Sequence, residues 1–572
     1  MRRLGPAVTF LGVLAWGACA GPDPDVDDSA PESDAPDDTD QADDTDVAPP
    51  DSDPPGAVMT IEGPVTVDSA GIRACANPSR RAQSPWDVRY ATPQALTNAL
   101  GEHSVTGGGV VVADLTGDGR LDTFLPGLRE VQLHVQSANV SFNDEWFTRL
   151  GGLDLSDATG ASVVDVDADG DLDLYVTRFL QPNRLLINDG TGYFTDGTAA
   201  AGLLTEGRRS EASAWGDMDR DGDLDLVVGN YGPKPEEGLA VLGDEFIAGD
   251  PSWLFRNDGD GTFTDVSDIL PPLLQRAHTF MVGWHDLDRD GYPELLFIND
   301  FGWNRPNVLF WNRPEGLVPD DGRAGFSLAF AGMGLAMGDL NDDEVPDFLQ
   351  TSWKAISLLV SNSGLWFESA DLAGILPRID PPPSQIFGWG TDMADLDLDG
   401  DLDAVVGYGW WDEYGPDRTQ YDAFFLQKAP MAFEDASRSW GLADPEVTRG
   451  VVIADINSDG WPDVMKRCLG THTPMYLSRC GREAWLELSL RAPGPNTRAI
   501  GARVRVTDHG ARWNRWVLSG GTSMYAAYEP EVHFGLGMRE VVEQVEIFWP
   551  DGTVATLRDV PTRQKLTVTL QP

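Results

Sequence analysis

DVDADGDLD (Asp165–Asp173) places carboxylates at positions 1, 3, 5, 7 and 9 and glycine at position 6. Six relatives of this nonapeptide recur along the chain. They are DLTGDGRLD (Asp114–Asp122), DMDRDGDLD (Asp217–Asp225), DLDRDGYPE (Asp286–Glu294), DLNDDEVPD (Asp339–Asp347), DLDLDGDLD (Asp395–Asp403) and DINSDGWPD (Asp455–Asp463). Their starts lie 51, 52, 69, 53, 56 and 60 residues apart. Self-similarity at such a period marks a repeat architecture, in which each copy is one supersecondary unit.

The flanks repeat as well. A short apolar run such as VVVA, SVVD or GVVIA precedes each copy, and another such as LYVTRF, LVVGN or AVVGY follows it. Further on come NRLLIND or SWLFRND, then a fourth segment such as GDGTFTDVSDIL. Short strands bounded by turn residues, four per unit, predict an antiparallel sheet per repeat. Four-stranded sheets repeated radially form a β-propeller. The fold class expected is therefore all-β, a seven-bladed propeller over 58–480 followed by a small all-β domain over 482–572. The seventh unit lacks a fourth strand, so Val65–Ile72 (VTVDSAGI) is expected to complete it and close the ring.

The spacing of the nonapeptide puts side-chain oxygens at positions 1, 3, 5 and 9 around a glycine that permits a sharp turn. Calcium takes six to eight oxygen ligands, so the loops read as calcium sites, up to seven of them. The ligands expected are Asp114, Thr116, Asp118 and Asp122 in loop one; Asp165, Asp167, Asp169 and Asp173 in loop two; and Asp217, Asp219, Asp221 and Asp225 in loop three. Loop four offers Asp286, Asp288, Asp290 and Glu294, and loop five Asp339, Asn341, Asp343 and Asp347. Loop six offers Asp395, Asp397, Asp399 and Asp403, and loop seven Asp455, Asn457, Asp459 and Asp463. An EF-hand needs a glutamate at position 12, where these loops have Leu125, Val176, Val228, Phe297, Gln350, Val406 and Lys466. Magnesium demands octahedral geometry and suits the pattern less well. Glu344 replaces the usual glycine in loop five, which predicts a strained or different turn.

These hairpins, with the following N-D-G-x-G-x-F-T-D pattern, resemble the FG-GAP/VCBS repeats of integrin-type propellers. Beyond Arg482 the chain reads WLELSL, ARVRVT, RWVLSG, VHFGLG, VEIFWPDGTVATL and KLTVTL, a succession of strands. IGARVRV, HFGLG and WPDGT (Trp549–Thr553) resemble the ASPIC/UnbV domain, which accompanies such propellers in a cartilage-acidic-protein-like secreted family. That resemblance implies calcium-binding or matrix-associated roles and carries over no catalytic residue. His533 reads as a structural strand position.

The chain's 572 residues hold 92 acids and 41 Lys and Arg, a formal charge of −51. Such a balance argues against nucleic acid and anionic membrane surfaces, which require clustered bases. Two regions carry the excess: the nonapeptides and residues 21–57, an acidic stretch too poor in apolar residues to fold. Residues 1–20 read as a signal peptide of the bacterial-lipoprotein type, with Arg2 and Arg3 before an apolar run too short to span a bilayer. Ala18-Cys19-Ala20 suits plain cleavage, whereas Trp16-Gly17-Ala18-Cys19 resembles a lipobox with Cys19 lipidated. The expected location is the cell surface or outer membrane through a lipid anchor, otherwise secretion. Export permits disulfides. Cys468 and Cys480 would lie ~20 Å apart by strand rise, so a Cys75–Cys468 link is expected.

Enzyme constellations such as C-x-x-C, H-E-x-x-H, G-x-S-x-G and the phosphate loop are absent from the sequence. An aromatic surface on two long insertions offers a ligand site instead: Tyr231, Trp253, Trp410, Trp411, Tyr414 and Tyr421, with Trp303 in the matching loop of the fourth unit. Packing of the same rings between blades is the equal alternative. The function expected is non-catalytic binding or adhesion, with an unknown protein or glycan as partner. A carbohydrate-active lyase or hydrolase on the same scaffold, or an extracytoplasmic assembly factor, are the alternatives.

Overall fold

The computed structural model describes residues 59–69 and 107–572, apart from 128–130, 139, 233–240, 243–244, 247–248, 273, 275–276, 303–304, 329–330, 354, 369–372, 374, 376–385, 411–419, 470–472 and 479–480. The signal segment, the acidic stretch, Cys19 and Cys75 lie outside the described residues.

The apolar runs on either side of each nonapeptide pair across it. In every repeat one strand ends at the residue before position 1, and the next begins at position 9. Among the described residues these hairpins extend into seven antiparallel sheets. Their innermost strands are Val110–Ala113, Ala158–Val164, Arg208–Gly216, His278–His285, Gly332–Gly338, Gly388–Ala394 and Thr448–Ala454. Each lies against the next in chain order, and the last returns to the first, so the ring of sheets is closed. The second strands, such as Asp225–Asn230 and Asp403–Tyr408, are buried along their whole length because neighbouring sheets cover both faces. Continuous apolar runs rather than strict alternation are what such a position requires. The protein is a β-propeller with a C-terminal β domain.

Among the described residues the second and third repeats are joined through Phe179–Gln181 and Arg208–Arg209; each of the first six repeats contributes four strands and the seventh three, ending with Met475–Tyr476. The N-terminal strand does not complete it. Thr60–Glu62 pairs instead with Val554–Pro561, and Val65–Ser69 with Gln564–Leu570, both in the C-terminal domain. VTVDS alternates, so it suits any half-covered edge, and Val65 joins the core of that domain. Residues 60–69 thus belong with the C-terminal domain, against the expected assignment to the propeller. This domain is two facing sheets. One orders Thr60–Glu62, Val554–Pro561, Val541–Phe548, Arg503–Asp508 and Ala511–Trp516; the other Val65–Ser69, Gln564–Leu570, Trp485–Arg491 and Glu531–Gly535. Leu486, Leu488, Val504, Val506, Val545 and Ile547 fill the space between them.

One segment of this domain leaves its sheets and enters the centre of the ring. Ser519–Gly520 pairs with Ala214 and Trp215, and Ala526–Tyr528 runs parallel to Val110–Val112. Between these points Ser523 N donates to Leu335 O at 2.5 Å and its hydroxyl to Val451 O at 2.8 Å. The Ser519 hydroxyl donates to Val163 O. Gly521 passes so close to Gly283 that a Cβ on it would stand 3.0 Å from the Gly283 Cα. Met524 and Tyr525 of this segment are buried with Tyr231, Phe280, Met333, Phe387, Trp389 and Trp410. The segment therefore touches the innermost strand of every sheet. It supplies backbone partners to strands that face a channel rather than another strand.

Candidate metal centres

Each nonapeptide closes on its own carboxylates. In loop two, Asp165 accepts the N–H groups of Asp169 at 3.2 Å and Gly170 at 3.0 Å, and Asp169 accepts that of Asp171 at 3.2 Å. The same position-1 bonds recur from Asp114 to Asp455, except that in loop four Asp286 accepts Gly291 N alone and Asp290 N donates to Asp288. The turn needs left-handed backbone at position 6, which explains its glycine. It also needs it at position 4, occupied by Gly117, Ala168, Arg220, Arg289, Asp342, Leu398 and Ser458, all with positive φ.

Position 9 works as a clasp. Asp173 accepts Val166 N at 2.9 Å on one oxygen and Asn188 N at 2.8 Å on the other, tying the loop to the third strand. Asp122, Asp225, Asp347, Asp403 and Asp463 do the same in their repeats. Burial pushes Asp173 and Asp225 up to about 8 despite these bonds, and the neighbouring loop carboxylates add to the rise. Truncation of Asp173 to alanine is expected to cost about 2–4 kcal/mol in calcium-free buffer, because two buried N–H groups lose their acceptor. Asp173→Asn keeps one acceptor oxygen but sets its NH2 against the other N–H, and is expected to cost about 1–2 kcal/mol there, less than the alanine variant. Chemical denaturation of both variants checks the ranking; equal losses would refute the clasp.

Three carboxylates converge in each of four loops, with one oxygen of each within 4.8 Å of the others. The groups are Asp165, Asp167 and Asp173; Asp217, Asp219 and Asp225; Asp286, Asp288 and Asp290; and Asp395, Asp397 and Asp399. Concentrated negative charge with part of its hydration removed calls for a hard cation. Asp395 and Asp403 are held well above the carboxylate range, first by burial and then by their loop neighbours. Loops two, three and six thus fit calcium. Loop four meets a protein cation instead: Arg313 reaches Asp288 at 2.6 Å, Asp290 at 3.0 Å and Glu294 at 3.3 Å. One of its oxygens, Asp286 Oδ1, is still buried without a hydrogen-bond partner among the described residues. In loops five and seven the position-3 amides of Asn341 and Asn457 donate to Asp343 at 3.4 Å and Asp459 at 3.0 Å. In loop one Arg120 pairs with Asp118, and Thr116 stands at position 3.

The C-terminal domain sits on these loops. Arg498 donates to Gly170 O at 2.7 Å, Asn514 to Asp339 at 2.9 Å, and Asp114 N donates to Glu529 at 2.8 Å. The Thr497 hydroxyl donates to Asp165. Gly535 approaches loop six so closely that a Cβ there would lie 2.0 Å from Asp395 Oδ2. His533 stacks on Trp485, with Nε2 3.0 Å from Gly460 O in loop seven, and burial pushes its ring down to about 4. It is a neutral contact residue.

Glu344 shows why loop five departs from the glycine pattern. Its turn is the ordinary one: Glu344 accepts φ +70° and its N–H reaches Asp339 at 3.1 Å. The expectation of a different turn is corrected, whereas that of strain stands, because a non-glycine residue holds the left-handed φ. The side chain meets Arg289 at 2.9 Å, Arg503 at 3.1 Å, Arg505 at 2.8 Å and Arg512 at 3.3 Å. Burial pushes its carboxyl up, but hydrogen bonds and charge from Arg503 and Arg505 carry it below the ordinary 4.5. A depressed value contributes stability above pH ~4.5 that fades as pH falls through the folded value. Glu344→Gly, which restores the pattern, is expected to destabilise at pH 7 by about 1–2 kcal/mol, since four arginines lose a shared partner. A melting curve showing the variant more stable would count against this.

Of the seven aromatic residues expected at a surface, four are described, and three of those are core. Tyr231 and Trp410 are buried in the cluster around Met524, and Tyr231 donates to Asp300 at 2.6 Å. Trp253 is buried under Arg208, whose guanidinium lies 4.3 Å from the ring centroid. Packing between sheets wins for these three, because each ring gains more from full burial than a rim position offers. Tyr421 is half-buried near Arg438; Trp303, Trp411 and Tyr414 lie outside the described residues. Cys468 is a buried free thiol, 3.6 Å from the Thr448 hydroxyl, and its expected partner Cys75 lies outside the described residues.

Family models agree with this division. An FG-GAP-like repeat matches residues 165–228, 241–297 and 286–349, and an ASPIC and UnbV model matches 492–571. The chain carries FG-GAP-like repeats and an ASPIC/UnbV domain. Cartilage acidic protein 1 of Xenopus tropicalis is 24% identical over 317 residues, which is 54% of this chain and 39% of that protein. The Mus musculus protein is 23% identical over 480 residues, 69% of this chain and 71% of its own length. Among solved structures, an Agrocybe aegerita protein described by its recognition of non-reducing terminal N-acetylglucosamine aligns at TM-score 0.37 and 14% identity, covering 65% of this chain and 94% of that one. BBS1N in complex with ARL6DN aligns at 0.39 and 9%, covering 69% and 98%. The ASPIC/UnbV domain meets the FG-GAP loops through hydrogen bonds of Arg498, Asn514 and Glu529.

Proposed function

We propose that this is an exported, calcium-stabilised propeller whose ASPIC/UnbV domain is clamped over the metal loops, and that it acts as a non-catalytic binding module at the cell surface. The observation that carries the reading is the convergence of carboxylates in loops two, three and six. Asp165, Asp167, Asp169 and Asp173 would hold one ion, Asp217, Asp219, Asp221 and Asp225 a second, and Asp395, Asp397, Asp399 and Asp403 a third. Loops one, four, five and seven rank lower, since arginine or amide groups already meet their carboxylates. The relatives' name, cartilage acidic protein, suits an extracellular setting. Cys19 would carry the lipid anchor.

Metal analysis of protein purified without chelator tests the reading. About three calcium ions per chain are expected. A calcium-free protein, or one loaded with magnesium instead, would refute it. Intact mass of the same preparation reports whether Cys19 is lipidated or has been removed.

A further inference from the structure

A lysine is sealed between two carboxylates where the sixth and seventh sheets meet. Lys466 lies on the strand Asp463–Cys468, and its side chain is wholly inaccessible to solvent. Its ammonium stands 3.1 Å from Asp422 and 3.0 Å from Asp444, both buried as well. A third donation goes to Leu442 O at 2.5 Å. Asp422 immediately precedes the third strand of the sixth sheet, and Asp444 lies in the connection that leads into the seventh. Leu442 and Tyr476 belong to the apolar core between those sheets. Lysine is almost never fully buried, and a buried charge cluster is often no more stable than apolar residues of the same volume. None of the three groups belongs to a nonapeptide.

The arrangement is that of an amine held against an acid, with a base in contact. Asp422 Oδ2 accepts from Lys466 and from the Thr448 hydroxyl at 2.9 Å, and Oδ1 accepts from Tyr408 N–H at 2.8 Å. Donors fix both oxygens, so the carbon of this carboxyl is presented to the amine in one orientation. Asp444 accepts from Lys466 and from the Tyr476 hydroxyl on the same oxygen. Burial pushes Asp422 up to about 7 against the pull of Lys466, so its neutral acid is populated near neutrality. Burial pulls the amine down, but the two carboxylates carry it above its ordinary 10.5. It therefore needs a base in contact to lose a proton, and Asp444 is one. Fixed geometry in a water-excluded site gives effective molarities of about 10⁵–10⁸ M, which offsets the cost of condensing an acid with an amine.

We propose that Lys466 and Asp422 join as an amide, a covalent staple between the sixth and seventh sheets, with Asp444 as the proton carrier. Asp444 takes one proton from the ammonium. The freed amine attacks Cγ of Asp422, and the electron pair displaced onto Oδ1 meets the Tyr408 N–H. Asp444 then passes a proton to Oδ2 and takes one from the nitrogen, and Oδ2 leaves as water. A C–N bond replaces a C–O bond, nothing is oxidised or reduced, and Asp444 ends protonated. The link closes the chain from residue 422 to residue 466 beside the three-stranded seventh sheet, where the ring of sheets closes. It forms once per chain, without turnover, and does not rest on the binding-module reading.

Peptide mapping of the full chain tests it. The intact protein is expected to weigh one water less than its sequence from the observed N-terminus. Trypsin should release residues 419–428 joined to residues 450–467, because an amidated Lys466 is not cleaved. Free peptide 450–466 from most chains would overturn the proposal, as would a link from Lys466 to Asp444 instead. Asp444→Asn keeps the shape, removes the base and should abolish the link. A natively folded Asp444→Asn protein that still carries the link would overturn the assignment. Where that variant fails to fold, the map of the parent protein decides alone. EGTA should leave the link intact, so it is read separately from the metal loops.

Discussion

Removal of calcium with EGTA at pH 7.5 is expected to lower the melting temperature by about 8–16 °C. Three ions, each at a hundredfold excess over its dissociation constant, contribute about 2.7 kcal/mol apiece, or ~8 kcal/mol. A unit of this size shifts by roughly 1–2 °C per kcal/mol, scaling from smaller domains. The effect should also depend on pH. Burial raises Asp173, Asp225 and Glu294 to about 8, 8 and 9 in the ion-free fold. A carboxyl whose folded value is raised binds its proton more tightly in the native state. Stability of the ion-free protein therefore falls as pH rises from the ordinary carboxylate range to about 8–9. Calcium replaces the protons on Asp173 and Asp225, its ligands in loops two and three, so the gap between the calcium and EGTA melting curves should widen from pH 5.5 to pH 8. A gap that is absent at every pH, or that narrows as pH rises, would contradict occupied loops.

The second large effect concerns the segment inside the ring. Met524→Ala with Tyr525→Ala is expected to destabilise the protein by about 5–8 kcal/mol, the range for two large core truncations. The two residues adjoin, so their separate losses should not add. Both are buried in one cluster with Tyr231, Phe280, Met333, Phe387, Trp389 and Trp410, which come from several sheets. The Tyr525 hydroxyl also meets Glu211, itself buried beside Arg209 at 2.8 Å. Because the segment ties the C-terminal domain to the ring, the variant should also unfold in two calorimetric steps where the parent unfolds in one. A variant losing under about 1 kcal/mol would mean the ring holds itself together without the insertion.

The legible part of this protein was the part made by local chemistry. A nonapeptide closes on itself: position 1 answers the N–H groups of positions 5 and 6, and position 9 closes the hairpin. Such contacts depend only on nearby residues, so repeats, strands, turn positions and ligand candidates can all be read along the chain. Even there, left-handed backbone at position 4 left no mark, since Ala168, Leu398 and Arg289 are not turn-forming residues.

What the chain could not announce is which distant surface each segment would meet. VTVDS pairs equally well with any free edge, and only the assembled molecule shows that edge to be Gln564–Leu570. Glu344 looks like a defect until four arginines surround it. Tyr231 and Trp410 look like a binding surface until Met524 arrives from a segment nearly three hundred residues after the first of them and more than one hundred after the second. The insertion from Val517 to Glu529 has no periodicity to flag it, and its large residues, such as Met524 and Tyr525, stand among small residues and paired glycines. Hydrophobic burial is non-directional and rewards whatever apolar space the fold leaves. The residues alone thus determined a ring of acidic hairpins, while the tertiary structure decided what closes its centre, covers its loops and completes its C-terminal sheets.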